Sequence, residues 1–325
     1  MIKSTNFVVS EIAKFWYKRF NKTAYLEYKV YLKDQKLIKK YASNFESHIK
    51  SINRAVDSKK ELNFIHSGHM GDLLYALPVI KELAKERKCN LFIRSNRTLG
   101  KKGYYKHPAG NIMINDRIYS MLLPLLQNQN YLHSINKWNG EEIDINLDLF
   151  RNLPFSRNFH SIRWYYHIAG VQPDMNLPFI DAGTDEKFND KIVVVRTFRG
   201  RNPLIDYSFL TKYDNIFFLG VKDEYDDFVK SVPNTAYYDV KDFLELAVIM
   251  NSAKFVIANQ TFAFALVDGL KTNRILEASP HLPAVFPTGK NGYDFYFQDQ
   301  FEKLVAQLND LSTCESESIQ MNSFS

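Results

Sequence analysis

"LNFIHSGHMGDLLYALPVIKELAKERKCNLFIRS", residues 62–95, decides the fold. LNFIHS reads as an apolar strand, GDLLYALPVIKELAKER carries its apolar residues at helical spacing, and CNLFIRS reads as the next strand. Strand, helix and strand in that rhythm belong to a parallel sheet. Asp72 follows Gly71 where the helix should begin. Its plainest reading is a helix cap, worth about 1 kcal/mol; a phosphate cradle and an enzyme's base are the alternatives. Pro78 predicts a kink or a later helix start. His66 and His69 are half a metal site, but no third ligand with recognisable spacing lies nearby, so no metal is predicted.

The rhythm extends outward. IDINLDLF (143–150) reads as a strand and SIRWYYHIAGV (161–171) as a helix, followed by a polar, turn-rich linker over 176–191. It then restarts with IVVVRTF, NIFFLG, KFVIANQ and NRILEAS as strands, the last being the final strand. DEYDDFVKSV, DFLELAVIMNSA and FAFALVDGLK are the helices among them, and DQFEKLVAQLNDL closes the chain before a Ser-rich tail. The expected organisation is a basic helical extension over 1–60, α/β halves over 61–180 and 181–311, and a disordered tail over 312–325. Ligands in such sheets bind beyond the carboxyl ends of the strands.

The chain has 325 residues, enough for two cores, and a net charge of +6. Residues 1–60 hold fourteen Lys and Arg against five Asp and Glu, so the remainder is net −3. The basic leader, with EIAKFWYKRF and AYLEYKVYLKDQKLIKKYA, reads first as amphipathic helices packed on the body with solvated lysines. A second reading is an interfacial segment over 8–55, with Phe15, Trp16, Tyr17 and Phe20 near lipid headgroups. Nucleic acid is not predicted, because no base-reading motif accompanies the charge. No run is long and apolar enough for a transmembrane helix, and no secretory signal is recognisable. Two distant cysteines, Cys89 and Cys314, form no disulfide framework. The expected location is cytoplasmic, with contact to the inner membrane face under the second reading.

The run SGHMGDLLYALPVIKELA is similar to the amino-terminal signature of the ADP-heptose:lipopolysaccharide heptosyltransferase family (glycosyltransferase family 9), in which a loop, Gly-Asp, apolar residues, a proline and an amphipathic helix follow one another. IDINLDLFRN resembles that family's first-domain strand, with Asp148 and Arg151. NIFFLGVKDEYDDF resembles its strand, glycine (Gly220) and acidic helix, and DFLELAVIMNSAKFVIANQTFAFALVDGL its later helix, strand and helix. The resemblance spans about residues 62–290. It implies the GT-B architecture: two Rossmann-like, doubly wound domains with a cleft between them, acceptor bound by the first and nucleotide-sugar donor by the second. It also implies inverting, metal-independent transfer with Asp72 as general base. The nucleotide-sugar is then a co-substrate, no cofactor is expected, and the acceptor is a glycan or glycolipid.

Without a metal, the leaving diphosphate needs cations, and RTFRGRNP supplies Arg196, Arg199 and Arg201 after a strand. Arg199 is the preferred candidate, because Arg196 could pair inside the fold. Asn259, Gln260 and Thr261 complete the expected donor side; His69, Gly71, Arg94, Asp148 and Arg151 form the acceptor side or its loop. In the RWYYH run, Arg163 and His167 are weaker candidates, and helical spacing makes Trp164 and Tyr165 core residues. Where the family carries Asn-Asp-Ser-Gly-Pro-x-His, this chain has NQTFAFA: Gln260 replaces the acid, Phe262 the glycine and Ala265 the histidine. Those departures fit a changed donor, and they also fit a non-catalytic nucleotide- or glycan-binding protein on the same fold.

Overall fold

The computed structural model describes residues 7–98, 110–152, 160–281 and 284–322. Three helices open it: α1 (Phe7–Phe20), α2 (Lys22–Asn44) and α3 (Glu46–Ser58). The first half then runs β1 (Glu61–His66), α4 (Met70–Leu83), β2 (Lys88–Ile93), α5 (Asp116–Gln127), β3 (Ser134–Lys137), β4 (Ile145–Asn146) and α6 (Ser161–Ala169). The second comprises β5 (Ile192–Val195), β6 (Ile216–Leu219), α7 (Lys222–Phe228), β7 (Thr235–Tyr238), α8 (Phe243–Ser252), β8 (Phe255–Asn259), α9 (Phe262–Leu270), β9 (Arg274–Glu277), β10 (Gly292–Phe295) and α10 (Gln298–Asn322).

Each half is an all-parallel sheet, ordered β3-β2-β1-β4 and β10-β9-β8-β5-β6-β7. The expected α/β class with two doubly wound sheets is what the chain forms. Burial on both faces explains the unbroken apolar runs: Ile192–Val195 is buried throughout. Val193 and Val195 belong to a core that continues into the first half, whereas Ile192 and Val194 face a second core with Phe301 and Val305 of α10.

The larger core does not stop at the boundary between halves. Leu73 and Leu77 of α4 and Ala263 and Leu266 of α9 belong to one continuous cluster. The linker joins it as well. The amides of Phe179 and Ile180 both donate to the Gly269 carbonyl, and a Cβ on Gly269 would lie 2.6 Å from Ile180 Cδ1 and 2.8 Å from Phe179 Cε2. In the last turn of α9, the buried Asp268 pairs with the buried Arg274 of β9 at 2.8 Å, and Thr288 donates its amide and hydroxyl to Asp268. Residues 287–289, PTG, are thereby tied to the helix.

Several elements differ from expectation. The predicted strand over 143–150 is only two residues long, because Asn146 Oδ1 accepts from the Asp148 amide at 3.0 Å and turns the chain into the 3-10 segment Leu147–Asn152. Strands β3, β7 and β10 are four residues each, and β10 follows the strand expected to be last. α4 runs through Pro78. α10 continues to Asn322, into the segment expected to be disordered, since extending a formed helix avoids the cost of nucleation; residues 323–325 of that tail lie outside the described residues.

Glycine at 269 is required by packing. Gly269→Val should destabilise the protein by about 1–3 kcal/mol through overpacking. Gly71→Ala should leave stability unchanged or raised, because its Cβ would meet its neighbours at 3.5 Å and beyond. Urea unfolding of both variants checks the contrast.

Candidate functional site

In the first sheet the strand order reverses between β1 and β4, and in the second between β5 and β8. Crevices for ligands open at the carboxyl ends of strands at such reversals. Four segments leave these strands there: 67–69, 147–152, 196–201 and 260–261. They carry or adjoin most of the residues singled out in the sequence.

The two reversals meet through their helices. Gly71, in the first turn of α4, lies against the first residue of α9, where a Cβ would be 3.5 Å from Phe262 Cα and 3.8 Å from Ala265 Cβ. Phe262 packs its ring on Phe243 at 4.6 Å. Asp72 is not the N-cap, which is His69; it occupies the third helical position, where its carboxylate interacts with the His69 backbone, the returning half of a capping box. The half-buried Asp72 carboxyl is raised above its ordinary value, chiefly by burial. Arg151, His66 and Arg199 oppose that rise, so cations from both halves act on one carboxylate.

Asp148 anchors the loop before α4. It accepts from the Ser67 hydroxyl at 2.5 Å and the Ser67 amide at 3.2 Å, and it pairs with Arg97 at 3.1 Å and Arg151 at 3.5 Å. Burial alone would raise this carboxyl, but His66, the Ser67 bond, Arg151 and Arg97 together hold it low. Arg151 also stacks over Phe150, 4.4 Å from the ring centroid. His66 is buried beneath them. Its Nδ1 accepts from the Gly68 amide at 3.0 Å, which puts the proton on Nε2 and makes that nitrogen the donor to the Tyr165 hydroxyl, also at 3.0 Å. Burial pushes His66 down to about 4, so the ring is neutral near pH 7. Gly68 has φ +108°, and a Cβ there would come within 2.8 Å of Met113 Cβ.

The three arginines of the 196–201 loop have separate fates. Arg196 forms a two-pronged pair with the buried Glu277, at 2.8 and 3.0 Å. Arg201 pairs with Asp227 at 2.6 Å. Arg199 is the exposed one, and its charge lowers the Asp72 carboxyl. The loop beneath it is held firmly. Asn259 is fully buried and donates to the carbonyls of Thr197 and Arg199, both at 2.9 Å, while Glu224 accepts from the Phe198 amide at 3.1 Å. Glu277 also accepts from Asn202 and Tyr207. Asn259, Arg196 and Arg201 are thus engaged in shaping the loop, and Thr261 bonds back to the Asn259 carbonyl. Gln260 is half-buried, its carbonyl 3.9 Å from a Cβ built on Gly200.

Other expected residues lie apart. Gly220, at φ +148°, ends β6, and its carbonyl accepts from Tyr237. Arg94 stacks on Trp138 at 5.2 Å and lines a cavity of about 420 Å³ beneath α3, with His48, Glu141 and Asn146. Trp164 and Tyr165 are core residues as expected, while Arg163 and His167 are exposed on the opposite face of α6. Among the described residues, no group of three His, Cys, Asp or Glu side chains is placed to hold a metal. Sequence reasoning missed Arg97 as an Asp148 partner, and Glu277 and Glu224 as anchors of the second loop. Arg97, three residues beyond Arg94 after β2, was the recognisable one; Glu277 is 81 residues from Arg196, and nothing local links the two.

No family model and no curated protein matches this chain. Solved structures similar to it include the glycosyl transferase family 9 protein of Veillonella parvula, at 12% identity and a TM-score of 0.48 over 81% of this chain and 98% of that one. The E. coli ADP-heptose LPS heptosyltransferase II is 9% identical, with a TM-score of 0.48 over 80% of this chain and 100% of its own. E. coli heptosyltransferase WaaC with ADP-2-deoxy-2-fluoro heptose is 14% identical, with a TM-score of 0.43 over 76% of this chain and 99% of its own.

His66 makes the first switch region acid-sensitive. With the folded value near 4 and the ordinary value at 6.5, the neutral ring contributes its full stability above about pH 6.5, and that contribution is lost as the pH falls toward 4. The loss is on the order of 3 kcal/mol. Unfolding at stepped pH should therefore show a steeper decline across this window for wild type than for His66→Gln.

Proposed function

We propose that the chain is a glycosyltransferase that moves a sugar from a nucleotide-diphosphate-sugar to a hydroxyl of a glycan or glycolipid. The observation that carries this reading is the meeting of the two strand reversals through α4 and α9, with Asp72 in the first turn of α4 and Arg199 in the loop after β5. The Gly-Asp, Pro and helix signature that resembles glycosyltransferase family 9 supports it.

In the proposed step, the acceptor oxygen attacks the anomeric carbon from the side opposite the diphosphate. A new C–O bond forms as the bond from that carbon to the phosphate oxygen breaks, so the configuration inverts. The hydroxyl proton passes to Asp72, and the electron pair of the broken bond leaves with the nucleoside diphosphate. A carboxyl raised by burial is a better base than an exposed one. Arg199 neutralises charge growing on the leaving phosphate, a task suited to a guanidinium held by a rigid loop. Arg151, held between Asp148 and Phe150, opposes the rise of the Asp72 carboxyl. The reaction as written draws on no metal.

A second reading, a nucleotide- or glycan-binding protein without turnover, is favoured by one observation. Phe262 and Ala265, which stand where the resembled family has glycine and histidine, both lie against Gly71 and fill space next to the α9 terminus.

A thermal-shift panel of ADP-, GDP-, UDP-, CMP- and dTDP-sugars separates the readings when followed by a nucleotide-release assay. One donor should raise the melting temperature of wild type and Asp72→Asn but not of Arg199→Ala. With that donor and a hydroxyl acceptor, Asp72→Asn should lower kcat by about 10²–10⁴-fold. Binding without release by wild type would favour the second reading, and no shift with any donor would sink both roles. In a pH–rate profile of the active enzyme, the acid limb should lie above the ordinary carboxylate range. Arg199→Met should move that limb higher still, because the cation that lowers Asp72 is gone.

A further inference from the structure

We infer that the α1–α2 hairpin is a docking surface for an anionic lipid bilayer. This rests on the helices alone and is independent of the proposed transfer activity. α3 seats Ile52 and Ala55 in the core of the first half. α1 and α2 pack on one another through the buried Ala13 and Tyr28, with the rings of Tyr17 and Tyr28 5.5 Å apart. Their remaining apolar residues point outward. On α1, Phe15, Trp16 and Phe20 are 70%, 58% and 67% exposed, and Ile12 continues the row one turn earlier. On α2, the exposed Leu26, Val30, Leu37 and Tyr41 fall within about 60° of one another around the helix. Lys22, Lys29, Lys33 and Lys40 form the adjoining stripe along one flank, while the acidic Glu27 and Asp34 lie on the other.

Charge selects the partner. Residues 7–44 hold nine Lys and Arg against three acidic residues. A second copy of the chain is a poor occupant, since it would bring two such surfaces together. A coiled-coil seam would also follow 26, 30, 33, 37 and 40, which places Lys33 and Lys40 at seam positions where they would be buried. At a bilayer the same lysines lay their stems along the apolar face and leave their ammonium groups among the headgroup phosphates. Trp16 and the tyrosines suit the interfacial zone. Among the described residues, no helix is long and apolar enough to cross a membrane, so the contact is lateral.

The test is flotation of the full chain with vesicles of phosphatidylcholine alone and with added phosphatidylglycerol, together with Trp emission. Wild type should float only with the anionic vesicles, with a blue shift that is lost in Trp16→Phe. Lys29→Gln/Lys33→Gln/Lys40→Gln should weaken binding by about 100-fold, at roughly fivefold per lysine. Phe15→Ser/Trp16→Ser/Phe20→Ser should abolish it at an unchanged melting temperature, which the exposure of these side chains allows. Absence of binding to anionic vesicles, or binding indifferent to the aromatic substitutions, would overturn the inference. A dimer in solution that the aromatic substitutions dissociate would overturn it in favour of self-association.

Discussion

The close approach of α4 and α9 is the constraint on which the rest of the structure depends. Each helix starts at the carboxyl edge of a central strand in its own sheet, and at Gly71 the first turn of one lies against the backbone of the other. Because both helices bury their apolar faces in one continuous core, the halves are joined as firmly as layers of a single domain. A large apolar contact of this kind limits relative motion. It also sets the two switch regions opposite each other, and this brings Arg199 to bear on Asp72.

Polar groups at the two strand reversals are arranged as layers, with buried anchors beneath more accessible residues. Asp148 fastens Ser67 and two arginines under the first loop, while Glu277 and Asn259 fasten the second. A buried carboxylate such as Glu277 is costly unless its lone pairs are satisfied, and here Arg196, Asn202 and Tyr207 satisfy them. Conformational specificity is the return on that cost: a loop so held presents Arg199 in one place. The basic leader follows the opposite logic. Its hairpin satisfies its own backbone in helices but leaves large apolar side chains in water, an arrangement that makes sense only when another surface covers them.

Much of this was legible in the sequence. The alternation of apolar runs with helical periodicity gave both sheets their central strands, because strands covered on both faces must be apolar throughout. The edge strands β3, β7 and β10 were not readable. They are short and half-exposed, and only pairing with a neighbour makes them strands. Asp72 was recognisable from its place after a strand and a glycine loop. Its partnership with Arg199 was not, since the two are brought together only by the packing of one half on the other.

By itself, the sequence determined the two α/β halves, the basic character of the leader and the residue types available at each strand end, because periodicity and charge are local properties of the chain. Tertiary structure decided which of those residues are exposed at the strand reversals and which hold others in place. Of three arginines within six residues, Arg196 and Arg201 pair with acids from elsewhere in the fold, and Arg199 is the exposed one, acting on Asp72 of the other half. Such a choice depends on distances between residues far apart in the chain, and those distances exist only once α4 and α9 have packed.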